Sequence, residues 1–183
     1  MKKMIFFLSA ASALLNCTVS EADSYNYAPY LGIEYVYAKA HVQKAKPEYN
    51  IGGIHIGSEY GKYFSTELFY NQSTYDNNYI ANAKTRTSYR AYGLDLMAYL
   101  PIDCDNRFDL IGTIGAGEYV FAKKIKGQKN HNDSGWGYRF GGGLKYAINH
   151  NWHARTLVRY INFDGVSDFN HQIEYGIGVE YHF

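Results

Sequence analysis

Ile173-Glu174-Tyr175-Gly176-Ile177-Gly178-Val179-Glu180-Tyr181-His182-Phe183 alternates without a break. Ile173, Tyr175, Ile177, Val179, Tyr181 and Phe183 are large and apolar, whereas Glu174, Gly176, Gly178, Glu180 and His182 are charged, polar or small. A two-residue period of this kind makes a strand with one greasy and one wet face. The chain then stops on an aromatic residue. A strand facing water gains nothing by ending on an exposed Tyr-x-Phe stripe, but one facing lipid needs it.

Seven further segments carry the same alternation. Leu31-Ile33-Tyr35-Tyr37, Ile54-Ile56, Phe64-Thr66-Leu68-Tyr70 and Tyr92-Leu94-Leu96-Ala98-Leu100 come first. Phe108-Leu110-Ile114-Ala116, Trp136-Tyr138-Phe140-Leu144-Tyr146 and Trp152-Ala154-Thr156-Val158-Tyr160 follow. With the terminal strand the number is even, as closure of an antiparallel sheet without a free edge requires. The reading is all-β: an eight-stranded antiparallel transmembrane barrel in the bacterial outer membrane. No stretch is apolar enough for a membrane-spanning helix, and mean hydropathy is −0.38. A barrel removes the apparent conflict, because only alternate residues face lipid. The 20 tyrosines, 18 glycines and 3 prolines suit strands, membrane interfaces and a crowded interior.

Lys2 and Lys3 followed by the short apolar run Met4–Leu15 resemble a secretory signal. Ser20-Glu21-Ala22 places small residues where a signal peptidase reads, so cleavage is expected between Ala22 and Asp23. Leu14-Leu15-Asn16 before Cys17 is the rival, a lipoprotein signal, with Asn poorly suited to the position before a lipidated Cys. Residues 1–22 are thus expected to be signal and 23–183 one barrel domain of about 160 residues. Cys104 would be the one cysteine left, which excludes an intramolecular disulfide. A net charge of +1 argues against nucleic acid as a partner.

Short connections at Glu59–Lys62, Pro101–Asn106 and Ala147–Asn151 read as periplasmic turns. The polar connections at 39–50, 72–88, 121–134 and 163–169 read as extracellular loops.

Gly135–Trp152 (GWGYRFGGGLKYAINHNW) resembles the sixth strand and following turn of small OmpA/OmpX-like barrels, including opacity-protein and surface-antigen relatives. Phe108–Tyr119 resembles their glycine-rich fifth strand, Arg155–Phe163 the seventh and Gly176–Phe183 the last. Asp109 and Leu110 stand where relatives often carry Pro and Tyr. The resemblance implies a structural surface protein, an adhesin or serum-resistance factor, or a small porin-like conduit. It also implies that Tyr181 and Phe183 form the signal read by the barrel-assembly machinery.

Two groups of residues carry chemistry. Glu34, Glu67, Asp95, Asp109, Glu174 and Glu180 fall on the face opposite lipid, with Arg139, Lys145, Arg155 and Arg159. Opposite charges in so narrow a lumen should pair, since a lone buried charge is expensive. Arg159 is expected near Glu174 and Arg155 near Glu180. The network is either a gate for small ions or a static polar plug. The second group is basic: Lys39, Lys44 and Lys46; Lys84 and Arg86, beside Tyr75 and Tyr79; and Lys123, Lys124, Lys126 and Lys129. It suits anionic host glycans or proteins, and equally the phosphates of lipopolysaccharide in the surrounding outer leaflet. The alternative chemical reading is a lipid A-modifying barrel enzyme, an acyltransferase or deacylase, which would need a His with a Ser and a carboxylate near the outer rim. His55 and Ser58 lie on opposite faces, His153 and His182 near the periplasmic rim, and His171 in a loop beside Ser167 and Asp168. No catalytic residue, cofactor or metal is expected, because no two His share a strand face at ligand spacing.

Overall fold

The computed structural model describes residues 27–42, 48–73, 76–80, 83–103, 107–125, 131–164 and 169–183. The expected signal segment and its cleavage point, Ala22–Asp23, lie outside them. Nine strands occur among the described residues: β1 (Tyr27–Val42), β2 (Glu48–Tyr60), β3 (Phe64–Ser73), β4 (Asp76–Ile80), β5 (Ala83–Pro101), β6 (Phe108–Ile125), β7 (His131–Ala147), β8 (Trp152–Asp164) and β9 (Phe169–His182). All pairings are antiparallel; they join neighbours in sequence except β3 with β5 and β1 with β9, the last of which closes the ring. Strands β3 and β4 lie end to end along β5: Gln72 stands opposite Arg90 and Asp76 opposite Thr87. The ring is therefore a closed eight-stranded barrel in which β3 and β4 share one stave.

Burial along each strand is inverted relative to a water-soluble sheet. Ile33, Ile114 and Ile177 are 65%, 63% and 60% exposed, while Glu67, Asp95 and Arg139 are fully buried. Only a lipid solvent makes that arrangement favourable. Aromatic rings gather near the inner rim, where Phe108 packs tilted against Tyr146 at 4.7 Å and Tyr181 lies between Trp152 and Phe183 at 5.1 and 5.2 Å. Phe140 and Tyr160 pack farther out along the wall, at 5.2 Å. Rings with an apolar body and polar edge settle at membrane interfaces such as the inner rim.

The inner turns are tight and side-chain built. Gly61 takes a positive φ of 66° between β2 and β3, a conformation costly for any residue with a Cβ. Asp103 accepts backbone hydrogen bonds from Arg107 and Phe108, both at 2.9 Å. Asn149 accepts from Asn151 at 3.0 Å and Trp152 at 2.9 Å. Such Asx contacts replace the ladder bonds a reversing chain must give up.

On the outer side the strands run well into the segments expected as loops. β1 continues to Val42 and β2 starts at Glu48; β6 reaches Ile125 and β7 starts at His131. The 72–88 segment holds β4 and the start of β5, paired from Asp76–Thr87 to Ile80–Ala83. Past the lipid, a strand no longer needs alternate apolar residues, so polar composition there did not mean irregular chain.

Candidate functional site

The charged side chains of the lumen are held by glycines on the staves between them. Asp95 of β5 and Arg139 of β7 both stand opposite Gly115 of β6. Their side chains meet over that glycine: Arg139 donates from Nε to Asp95 at 2.6 Å and from Nη2 to the other carboxylate oxygen. The same plan recurs three times. Glu34 and Arg155 flank Gly178 and are 3.3 Å apart. Tyr30 and Glu67 flank Gly57, with the Tyr30 hydroxyl donating at 3.1 Å. Glu180 and His55 flank Gly32 and approach to 3.5 Å. An eight-stranded interior has room for such bridges only where the middle residue lacks a Cβ.

Arg155 is the centre of the network. It reaches Glu67 at 2.5 Å, Glu180 at 2.7 Å and Glu34 at 3.3 Å. Arg159 binds Glu34 through both terminal nitrogens, at 2.9 and 3.0 Å. Its distance to Glu174 is 4.0 Å, so Glu34, not the expected Glu174, is the near partner. The reason is geometric. Glu174 stands directly beside Arg159 in the ladder, where side chains run parallel, and the long guanidinium passes it to reach β1 over Gly176. Glu174 instead accepts hydrogen bonds from Tyr89 and Gln172, each at 2.9 Å. Lys145, near the inner rim, pairs with Glu59 and lies 4.0 Å from Glu180. Asp109 stands opposite Lys145 in the ladder and is half-buried. Arg139 also lies over the Phe69 ring, 3.2 Å from its centroid, a cation–π contact.

Four members of this interior are absent from the expected charge network. Tyr30 precedes the first alternating segment, Glu59 falls in an expected turn, and His55 and His182 lie on the polar faces of their segments without being assigned to the network. His182 lies 3.4 Å from Glu180 and stacks on Tyr30 at 5.0 Å. Their signal was an inward parity together with an inward glycine on the adjoining stave. His171 is half-buried at the outer rim and stacks on Tyr160 at 5.4 Å; Ser167 and Asp168 lie outside the described residues.

Above the charges the lumen is largely apolar, apart from the buried Ser73 and Gln172. Tyr49, Tyr89, Tyr119, Phe121 and Phe163 come from four staves and pack with ring centroids 5.1 to 6.5 Å apart. Ile51, Val36 and Ile161 fill the gaps among them and are fully buried. A smaller group, Met97, Tyr99, Ile111 and Leu157, occupies the inner half beside the charges.

Of the expected basic surface, Lys39 is exposed and 4.0 Å from Glu48. The backbone register sets Arg86 opposite Lys124 and Thr87 opposite Lys123, in the part of β5–β6 that continues outward. Lys84 stands opposite Tyr79. Lys44, Lys46, Tyr75, Lys126 and Lys129 lie outside the described residues.

A closed eight-staved barrel with a lipid-facing exterior and a packed polar interior defines the class: a small bacterial outer-membrane protein. The family model for the outer membrane protein β-barrel domain matches residues 7–183, and the chain belongs to that family. Its fold is similar to that of Neisserial surface protein A (TM-score 0.71, 16% identity, covering 85% of this chain and 97% of that one). It is also similar to Ail, the attachment invasion locus protein of Yersinia pestis, in a complex with the heparin analogue sucrose octasulfate (TM-score 0.63, 14% identity, 86% and 99% covered). A third similar structure is OprG of Pseudomonas aeruginosa (TM-score 0.57, 14% identity, 85% and 96% covered). No curated protein matches the chain by sequence.

Proposed function

We propose that this outer-membrane barrel is a non-catalytic surface protein whose outer hairpins bind sulfated or otherwise anionic glycans, or proteins bearing them, on a host cell. The observation that carries the reading is the length of β5 and β6 beyond the lipid belt. Their pairing runs outward from Tyr92–Glu118 to Thr85–Ile125, seven residues or about 23 Å along the strand. That paired ribbon sets the Arg86 and Lys124 positions opposite each other in the backbone register, so presenting two basic residues there needs no loop to be ordered. Clustered cations favour polyanions, with an affinity that falls as salt rises. Ail, with a similar fold, has been crystallised with a sulfated heparin analogue. Lipopolysaccharide phosphates suit the same cations, and outer-leaflet lipid is the barrel's proposed surroundings. The lumen favours this reading over a porin-like conduit: an ion entering from outside would have to lose its water among the packed rings of Tyr49, Tyr89, Tyr119, Phe121 and Phe163.

Export by cleavage after Ala22, and insertion by the barrel-assembly machinery through Tyr181 and Phe183, complete the proposal. Phe183 is 73% exposed and its amide donates to the Pro29 carbonyl at 3.1 Å, so its ring is presented at the closing seam between β1 and β9.

The test is transplantation of the four outer connections onto a barrel that does not bind heparin. Retention of the chimera on immobilised heparin, released by salt, is the expected result. Arg86→Ala with Lys124→Ala should elute at lower salt. Equal retention of the unmodified host barrel and the chimera would defeat the proposal.

A further inference from the structure

We propose that the inner half of the lumen holds one divalent transition-metal ion, bound by His55, Glu67 and Glu180. These three residues come from β2, β3 and β9, and each offers a donor atom such that all three lie within 4.8 Å of one another. Donors on a zinc-like shell of ~2.1 Å radius lie at most ~4.2 Å apart, so small rotations of side chains suffice to bring them to a common ion. No spacing within one strand could have revealed the set, because it exists only once three staves are in register.

Two observations point to a ligand rather than to a plain ion cluster. His55 is 2% exposed, and neither of its ring nitrogens has a hydrogen-bond partner. A buried imidazole left so is costly. Its ring is aimed: it lies over Gly32, where a Cβ would overlap Nε2, and Nε2 faces Glu180 Oε1 at 3.5 Å, the oxygen that Arg155 Nη1 approaches to 2.7 Å. The second observation is charge. Among the described residues, Glu34, Glu67, Asp95, Glu174 and Glu180 are each at most 6% exposed, against three arginines of 2% or less. Lys145 is engaged by Glu59. With every carboxylate ionised, two negative charges remain in a water-poor interior. One divalent ion supplies the balance, and an imidazole donor selects Zn2+ or a similar ion over Mg2+ or Ca2+.

Arg155 is the resident competitor. Its Nη1 lies 2.5 Å from Glu67 and 2.7 Å from Glu180, and Nη2 lies 3.3 Å from Glu34. When the ion binds, the guanidinium keeps Glu34 and releases the other two carboxylates. His182, 3.4 Å from the far oxygen of Glu180, holds that carboxylate in place from the inner rim.

The full-length barrel, purified in detergent and stripped with chelator, is titrated with Co2+ and then Zn2+. Binding of one Co2+ per barrel, with the visible absorption of a four- or five-coordinate N/O site and displacement by Zn2+, is expected. His55→Gln, which keeps the side-chain size, should weaken binding at least about tenfold, with folding verified by heat-modifiable migration. His150→Gln, in the exposed inner turn, should leave it unchanged. Arg155→Gln should tighten it by removing the competing cation; if that variant does not fold, His55→Gln alone decides. No binding to the wild type, equal binding to His55→Gln, or Mg2+ displacing Co2+ as well as Zn2+ does would each overturn the proposal.

Discussion

Outside the level of Phe69 the lumen is filled mostly by tyrosine and phenylalanine rings with aliphatic side chains between them; inside it, mostly by carboxylates, arginines and histidines. Both halves exclude water, but by different physics. Ring packing is non-directional, and its stabilisation grows with the area removed from water. The charged half is worth little over an apolar fill and a great deal over a broken pair, because each buried ion depends on a named partner. The upper half can therefore drift in sequence while keeping its volume. The lower half can hold only one strand register, since a slip of one residue would leave Arg139, Arg155 and Arg159 facing lipid.

The largest test of that contrast lies in the lower half. Asp95→Asn keeps the shape but leaves Arg139, which is 0% exposed, without a counter-charge. The expected cost is about 3–5 kcal/mol, read from urea unfolding in lipid vesicles. Adding Arg139→Gln should recover part of it, so that the double variant loses less than the two singles together. Strict additivity would mean that the two groups do not act as a pair and that the halves differ in composition alone.

A smaller effect is expected on the other side of the wall. Ile114 of β6 faces outward, one residue from Gly115. Ile114→Arg should cost roughly 2–4 kcal/mol if the site lies near the bilayer midplane, by the same unfolding measurement. A negligible cost would place that face in water and contradict the inversion of burial on which the membrane reading rests.

The staves were legible because lipid imposes a two-residue period on every one of them, and IEYGIGVEYHF shows it without a break. The ends were not: beyond the lipid the constraint lapses, so the outward parts of β5 and β6, including Arg86 and Lys124, looked like loop. Inward parity placed Glu34, Arg155 and their neighbours on the right face. It could not say that Arg159 passes Glu174 for Glu34, because that depends on the relative register of three strands. That β3 and β4 share one stave along β5 left no periodic mark either. The sequence does contain the pairing rule: an inward glycine on one stave between two bulky inward residues on its neighbours.

That rule can be broken at one atom. Gly115 and Gly112 lie three residues apart on β6 and so face opposite sides of the wall. A methyl added at Gly115 would overlap Asp95 Oδ1, and the Leu94 carbonyl oxygen would be 2.5 Å away. At Gly112 it would meet nothing within 4 Å. Gly115→Ala should therefore cost about 1–3 kcal/mol, as overpacking does, because Asp95 must leave Arg139 or the sheet must open. Gly112→Ala should stay within about 0.5 kcal/mol and tend to stabilise, since it removes backbone freedom from the unfolded chain. Unfolding midpoints of the two variants, measured in the same vesicles, separate the cases. If both variants matched the wild type, the glycine at 115 would be serving strand curvature and not the ion pair, and the lower half of the lumen would be no more exacting than the upper.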